Sequence, residues 1–182
     1  MKKINSKAFI KKHRSILIIA ALIIIALLIT SLQTGNKSYK VNRDNLLRVY
    51  VERVVDGDTI IINVSENDLG LNRRERVRLI GVDAPETVHP SREEEPYGRE
   101  ASDFTKNNLE GKYVYLDFDI ELRDRYGRVL AYVYTENGEH FNARLVKEGY
   151  GIAYLNYEFK YMDEFSRYES EAKRKRLGLW GL

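Results

Sequence analysis

The chain begins with a long apolar run and continues with short segments in which apolar and polar residues alternate. Residues 15–32 carry no charge and are mostly Ile, Leu and Ala, and six basic residues and no acidic one precede them. As a helix this run would measure about 27 Å, close to the roughly 30 Å hydrocarbon core of a bilayer. A buried core helix would keep a polar stripe, which this run lacks. The pattern predicts a transmembrane anchor or signal segment at residues 15–32, after a basic cytoplasmic region at residues 1–14.

The end of the apolar run does not resemble a cleavage site. Residues 29–35 read Ile-Thr-Ser-Leu-Gln-Thr-Gly, without the small-residue pattern at which signal peptides are cut. We therefore expect a retained membrane anchor, with a cleaved signal peptide as the alternative. Because basic residues before an apolar segment stay in the cytoplasm, the remainder is expected outside the cell, membrane-bound or secreted. Residues 33–46 are polar and predict a linker to a domain at residues 47–182.

Five short runs of alternating or β-branched residues follow the linker. They span residues 48–55, 59–64, 76–82, 113–120 and 129–135. Runs of this length and composition predict β-strands. Asp56 and Gly57 give a strong hairpin signal between the first two, and residues 65–74 predict a long polar loop before the third.

Three segments have the apolar spacing of helices. The first spans residues 98–109, with one side formed by Ala101, Phe104, Thr105 and Leu109. The second spans residues 142–148, and the third has its apolar positions at Met162, Phe165, Tyr168 and Ala172. We expect Gly178 to end the third helix and Trp180 to pack back onto the body. Five strands with three helices predict an α+β, mainly β fold, a five-stranded OB-fold barrel.

The charge of the chain is unevenly distributed. Of 30 basic residues six lie before residue 15, which leaves 24 basic against 27 acidic residues in the rest of the chain. An anionic partner such as nucleic acid would therefore be held by local basic clusters and not by a cationic surface as a whole. The chain contains no cysteine, which excludes disulfides and thiolate-bound zinc.

Three acidic residues lie next to rigid backbone. Asp58 follows the tight turn at residues 56–57, and Asp83 and Glu86 flank Pro85, whose ring fixes its backbone. Taken alone, Asp58 could serve only the turn. Together these residues offer oxygen ligands without thiolate, which favours a hard cation such as calcium over zinc.

Basic residues supply candidate anion sites. Arg78 lies among apolar strand residues and needs an anion, which could be a structural carboxylate or a substrate phosphate. Arg125, Tyr126 and Arg128 lie in a predicted turn before the strand that starts at Val129. Such a turn could be a solvated hairpin tip or a nucleotide site with cations for phosphate and a ring for stacking.

Several motifs together resemble the staphylococcal thermonuclease family over about residues 54–180. They are D-G-D-T at residues 56–59, R-L-I-G-V-D-A-P-E-T at 78–87, H-P at 89–90, Y-G-x-E-A-S at 97–102, D-R-Y-G-R-x-L-A-Y-V-Y at 124–134 and L-G-L-W at 177–180. The resemblance implies an OB-fold barrel that binds one calcium ion and cleaves DNA and RNA to products ending in 3′-phosphate.

The resemblance also implies a role for each matching residue. Asp58, Asp83 and the backbone carbonyl of Ala84 would be the calcium ligands, and Glu86 would be the base toward the attacking water. Arg78 and Arg128 would hold the scissile phosphate. The nucleotide pocket would be lined by Arg125, Tyr126 and Tyr154. We expect a monomer acting on single-stranded or denatured substrate.

Two residues depart from the family pattern. Ala84 stands where threonine is frequent, and we expect calcium binding to survive because the ligand there is a main-chain oxygen. Asn156 stands where a second pocket tyrosine is expected, with Tyr157 one residue along. The alternatives are a non-catalytic OB-fold module that binds nucleic acid and a membrane-anchored adhesion domain with surface ion pairs only. The complete acid and arginine set favours the nuclease.

Overall fold

Five strands close into a barrel, as the sequence pattern predicts. The computed structural model describes residues 46–65, 69–87 and 95–182, all within one compact unit, Val41–Leu182. The barrel strands are β1 (Leu47–Val54), β2 (Thr59–Asn63), β3 (Arg74–Leu79), β5 (Tyr113–Asp117) and β6 (Val129–Thr135). Their order around the barrel is β1-β2-β3-β6-β5. The pair β3 and β6 is parallel and the other pairs are antiparallel.

Alternation along the strands separates an apolar interior from a polar exterior. In β3 the side chains of Val77 and Leu79 point inward and are buried, whereas Arg76 is exposed. Ile60 and Ile62 of β2 are likewise fully buried. The period of two in the sequence therefore sets which residues face the core.

Three helices pack on the barrel at the expected places. They are α1 (Gly98–Leu109), α2 (Phe141–Glu148) and α3 (Met162–Lys175). The buried side of α1 includes Ala101, Thr105 and Leu109, as predicted. Gly149 ends α2 in the left-handed conformation that favours glycine, and its N–H donates to the carbonyl oxygens of Leu145 and Val146.

The last helix ends earlier than we expected. The residue at its end is Arg176, in the left-handed conformation, and the Leu177 N–H donates to the Ala172 carbonyl. Gly178 instead begins a short 3₁₀ turn, Gly178–Gly181, where a Cβ would lie 2.2 Å from the Gly149 carbonyl oxygen. Gly178 is therefore needed for a close backbone approach and not for the helix end.

The predicted strand at residues 76–82 is wrong in one respect that shapes the candidate site. β3 stops at Leu79, the chain turns at Ile80 and Gly81, and β4 (Val82–Asp83) pairs with β7 (Ile152–Ala153). Gly81 has a φ of 75°, and a Cβ there would lie 2.6 Å from the Phe159 ring. The predicted strand at residues 113–120 likewise ends at Asp117.

The leader and one motif lie outside the described residues. These are the basic region 1–14, the apolar segment 15–32, nearly all of the linker, and His89 with Pro90. Within the described ranges, no helix has the length and apolarity needed to cross a bilayer. The predicted anchor therefore stays a prediction.

Candidate active site

The turn between β1 and β2 fixes the position of Asp58. The Asp58 N–H donates to Asp56 Oδ1 at 3.1 Å, and helix α1 holds the turn because Thr105 Oγ1 donates to the Gly57 carbonyl at 2.7 Å. A Cβ on Gly57 would lie 2.5 Å from Ala84 Cβ. Glycine at this position thus allows the Asp58 turn to lie directly against the segment that follows β4.

Arg78 joins the two predicted carboxylate ligands. Its guanidinium forms an ion pair with Asp58 Oδ2, and its Nη2 lies 2.7 Å from Asp83 Oδ1. Its Nη1 also donates to the Val82 carbonyl at 2.7 Å, which the turn at Gly81 makes possible. The Ala84 N–H donates to Asp58 Oδ2 at 2.7 Å. Asp58, Arg78, Asp83 and Ala84 therefore converge at one point on the outside of the barrel.

The electrostatics of this point favour a further positive charge. Burial raises the pKa of the Asp58 carboxyl to about 7, against the opposing effect of Arg78, and the neighbouring Asp56 carboxylate raises it further. Burial also raises the pKa of Asp83, again opposed by Arg78. A cation near these groups would stabilise their charged forms.

The donor set fits a hard cation held in part by backbone and water. In residues 46–65, 69–87 and 95–182, no group of three His, Cys, Asp or Glu side chains could hold a metal by itself. Asp58 and Asp83 offer carboxylate oxygens and Ala84 a carbonyl. Oxygen donors of this kind suit calcium, which also accepts water ligands.

Glu86 lies on a segment held by a second acidic residue. Its N–H donates to Glu95 Oε2 at 3.1 Å, and its carbonyl accepts the Glu95 N–H at 2.9 Å. A Cβ on Gly98, at the start of α1, would lie 2.9 Å from the Glu86 carbonyl oxygen. The Glu95 carboxylate also raises the pKa of Asp83. The start of α1 therefore positions the Glu86 segment three residues after Asp83.

Asp124 organises the turn that carries Arg128. Its Oδ1 accepts the N–H groups of Tyr126 and Arg128 at 2.9 and 3.0 Å, and its Oδ2 lies 2.7 Å from Arg128 Nε. Arg125 Nη2 donates to the Tyr126 hydroxyl at 2.6 Å, and Tyr126 is 68% exposed. The turn is thus an ordered hairpin tip with a solvent-accessible ring and two cations beside it.

Two tyrosines lie on the other side of the Gly81 turn. The Tyr154 N–H donates to the Gly81 carbonyl at 2.9 Å, and the Tyr154 ring lies 5.4 Å from the Tyr157 ring. Burial raises the pKa of the Tyr157 hydroxyl, and the charges of Arg78 and Arg128 oppose this shift. The Tyr157 hydroxyl therefore lies in the field of both arginines.

A family model described as "Staphylococcal nuclease homologue" matches residues 76–181, which is more than half of the chain. The chain belongs to the staphylococcal nuclease family. The matched range contains Arg78, Asp83, Glu86 and Arg128, whereas Asp58 lies before it.

Three curated relatives of this family member are named for nuclease activity. A thermonuclease from Staphylococcus hyicus is 37% identical over 166 residues, covering 91% of this chain and 94% of the relative. A thermonuclease from Staphylococcus intermedius is 47% identical over 131 residues, covering 71% and 74%. Endonuclease YncB of Bacillus subtilis is 37% identical over 152 residues, covering 81% and 68%. The chain is accordingly a nuclease enzyme.

The predicted site residues of this nuclease fall into three groups in the structure. The first contains Asp58, Arg78, Asp83 and Ala84 in direct contact. The second is the turn with Arg125, Tyr126 and Arg128, and the third is Tyr154 beside the Gly81 turn. Glu86 follows the first group along the chain, and its role stays a prediction.

The sequence analysis did not include Tyr157 or Glu95 among the site residues. Asn156, the residue that fills the expected tyrosine position, is exposed, and Tyr157 supplies the second ring beside Tyr154. The sequence signal for Tyr157 is its position directly after Asn156, where a second pocket tyrosine is expected. Glu95 gave no signal because it stands at the end of a run of acidic residues.

Proposed function

We propose that this nuclease hydrolyses phosphodiester bonds of DNA and RNA with the help of calcium, and leaves 3′-phosphate ends. The observation that carries the proposal is the bridge from Arg78 to Asp58 and Asp83, which joins an anion-binding group to two cation-binding groups. This combination can bind a phosphodiester next to a divalent cation. The names of the relatives support the nucleic-acid substrate.

Arg78 and Arg128 would bind the scissile phosphate from two sides. Both side chains are partly shielded from solvent, 13% and 27% exposed, which strengthens their interaction with an anion. The planar guanidinium can donate two parallel hydrogen bonds to phosphate oxygens. In the described structure both arginines pair with aspartates, so a bound phosphate would compete with Asp83 and Asp124 for them.

Asp58, Asp83 and the Ala84 carbonyl would hold the calcium ion. When bound, calcium would neutralise negative charge on the phosphate and polarise it for attack. A shell with only two protein carboxylates binds weakly, and weak calcium sites fill at the millimolar concentrations found outside cells. Calcium dependence and an extracellular address therefore support each other.

Glu86 would act as the base in the hydrolysis. Its carboxylate would take a proton from water as the water oxygen forms a bond to phosphorus, and the bond from phosphorus to the 5′ oxygen would break. The phosphate would then stay on the 3′ side. The 5′ oxygen would leave as a hydroxyl after gaining a proton from solvent water, and Glu86 would return its proton to solvent. A general base of this kind contributes about 10² to 10⁴ in rate.

Tyr154, Tyr157 and the turn with Arg125 and Tyr126 would receive the nucleotide. Aromatic faces stack on bases without sequence preference, and neighbouring cations hold the backbone. This arrangement suits single-stranded or denatured substrate, in which bases are free to stack. We further propose that residues 15–32 anchor a monomeric enzyme, so that the domain acts at the outer face of the membrane or, after cleavage, as a secreted protein.

The test is digestion of heat-denatured DNA by the full chain in detergent, with calcium or with a calcium chelator. We expect cleavage only with calcium and fragments whose 3′ ends can be labelled only after phosphatase treatment. Equal cleavage in chelator would contradict the metal role, and fragments with free 3′ hydroxyls would contradict the proposed bond.

A further inference from the structure

Two exposed arginines lie on one outer face of the barrel, beside the candidate active site. Across the three strands β1, β2 and β3, Arg53 pairs with Ile61 and Ile61 pairs with Arg76. Residues directly opposite each other in antiparallel strands point to the same side, so the two arginines flank Ile61. Ile61 is only 6% exposed although it faces away from the barrel core. We call Arg53, Ile61 and Arg76 the arginine face.

The arginine face differs from the other basic positions on the barrel in its charge balance. Arg48 pairs with Glu136, Arg74 with Glu52 and Arg123 with Glu75, at 3.0, 2.8 and 2.6 Å. For Arg53 and Arg76 no ion pair is found within residues 46–65, 69–87 and 95–182. These two cations add positive charge to a part of the chain in which acidic residues outnumber basic ones.

Arg76 adjoins both arginines of the candidate active site. It precedes Arg78 by two residues on β3, which places their Cα atoms about 6.7 Å apart on the same side of the strand. On the parallel neighbour, Val129 pairs with Val77, so the position of Arg128 lies beside that of Arg76. The separation of Arg76 and Arg78 is similar to the distance between neighbouring phosphates in an extended single strand. At the start of β3, Arg74 is ion-paired with Glu52, so the arginine face does not extend beyond Arg76 on this strand.

We propose that the arginine face binds phosphates that flank the scissile bond of a single-stranded polynucleotide. The proposal rests on the proposed function, because the scissile phosphate at Arg78 and Arg128 fixes where the strand enters the face. Arg76 takes a neighbouring phosphate and Arg53 takes one further along. The face contributes affinity for long substrates and no sequence preference.

Binding in the presence of chelator tests the face without cleavage. The probe is a fluorescent thymidylate dodecamer, and the proteins are the full chain in detergent and its Arg53→Gln/Arg76→Gln variant. The matched control is Arg48→Gln/Arg74→Gln, which removes the same charge from ion-paired positions. We expect the test variant to bind about tenfold more weakly at low salt, with a salt slope lower by about 1.4, because each phosphate contact to a single strand contributes about 0.7. The control should change far less.

A dinucleotide substrate separates the face from the active site. With calcium present, we expect kcat/KM for the dinucleotide to be the same for the parent and the Arg53→Gln/Arg76→Gln variant, whereas kcat/KM for the dodecamer falls. Equal losses on both substrates, or equal losses in the test and control variants, would overturn the proposal. The proposal would also be overturned if the Arg53→Gln/Arg76→Gln variant lost binding to vesicles of anionic lipid while its binding to the dodecamer stayed unchanged. The face would then bind the membrane. A parent protein that binds the dodecamer through the face yet does not cleave it would contradict the proposed function alone.

Discussion

The guanidinium of Arg78 lies against the carboxylate of Asp58, so that the group suited to a phosphate is held by a group suited to a cation. Both side chains are shielded from solvent, and Arg78 also reaches Asp83. Removing one member of a buried charge pair leaves the other unpaired, which is costly. Each member of the pair is therefore needed for stability while the other is present, in addition to its place in the site.

This relationship predicts a stability cost that a second substitution corrects. We expect Arg78→Gln to lower the free energy of unfolding by about 3 kcal/mol, because it leaves a buried carboxylate without its partner. The double variant with Asp58→Asn should recover most of that loss of stability. Neither the single nor the double variant should cleave DNA at the parent rate. Denaturant unfolding and DNA digestion check the two parts separately. Additive stability losses in the double variant would show that the two side chains are not coupled.

The carboxylates of the site predict a changed calcium requirement. We expect Asp83→Asn to raise the calcium concentration needed for half-maximal cleavage by about tenfold or more, because the site keeps only one carboxylate. Asp117→Asn is the control, since Asp117 pairs with Lys160 and takes no part in the site. The increase in Tm on adding calcium to the parent provides a second readout and should also shrink in Asp83→Asn. An unchanged calcium titration would remove Asp83 from the ligand set.

The position of Tyr157 predicts an effect on substrate binding. Tyr157→Phe removes a hydroxyl that lies in the field of Arg78 and Arg128, and we expect KM to rise by about tenfold with a smaller change in kcat. Tyr113→Phe is the control, because Tyr113 is exposed to a similar extent, 44% against 41%. Steady-state cleavage of a short single-stranded oligonucleotide gives both constants. If the Tyr157 and Tyr113 variants behave alike, the hydroxyl has no role in binding.

His140 predicts that stability decreases in mild acid. Its ring lies among Tyr134, Tyr161 and Phe165, and burial lowers its pKa to about 3 from an ordinary value near 6.5. Between these values the unfolded chain binds a proton that the folded protein does not, so stability falls as pH falls. We expect a loss of about 2 kcal/mol between pH 7 and pH 5 from this group. Denaturant unfolding of His140→Phe at both pH values should show a loss smaller by that amount, and an identical pH dependence would exclude this role for His140.

Much of the fold could be predicted because the apolar residues of several strands and helices follow a clear pattern along the sequence. The strand at residues 129–135 and the helix at 98–109 are predicted to the residue, since the apolar run of the strand and the helical spacing are uninterrupted there. The end of β3 could not be predicted, because Ile80 and Val82 continue the apolar run through the turn. Only the packing of Phe159 and the bond from Asn142 Nδ2 to the Ile80 carbonyl, 3.0 Å, explain why the chain turns at Gly81.

The candidate site shows the same division between local and distant information. Asp58 and Asp83 could be named from their neighbours in sequence, because rigid turns precede or follow them. Arg78 can bridge them because the chain turns at Gly81 between β3 and β4. The sequence pattern predicts a single strand there. The sequence could not show that Tyr157, and not position 156, supplies the second ring of the pocket. Both lie in a loop, where no periodic pattern tells which residue faces the site.

The central claim is that Arg128, with Arg78, holds the scissile phosphate beside the carboxylates. Single-turnover digestion of denatured DNA at saturating calcium tests it most directly, with Arg128→Ala compared with Arg144→Ala, whose arginine is ion-paired and 26% exposed against 27%. We predict that Arg128→Ala cleaves about 10³-fold more slowly or worse with little loss of stability, while Arg144→Ala keeps the parent rate. Digestion by Arg128→Ala at the parent rate would contradict the claim.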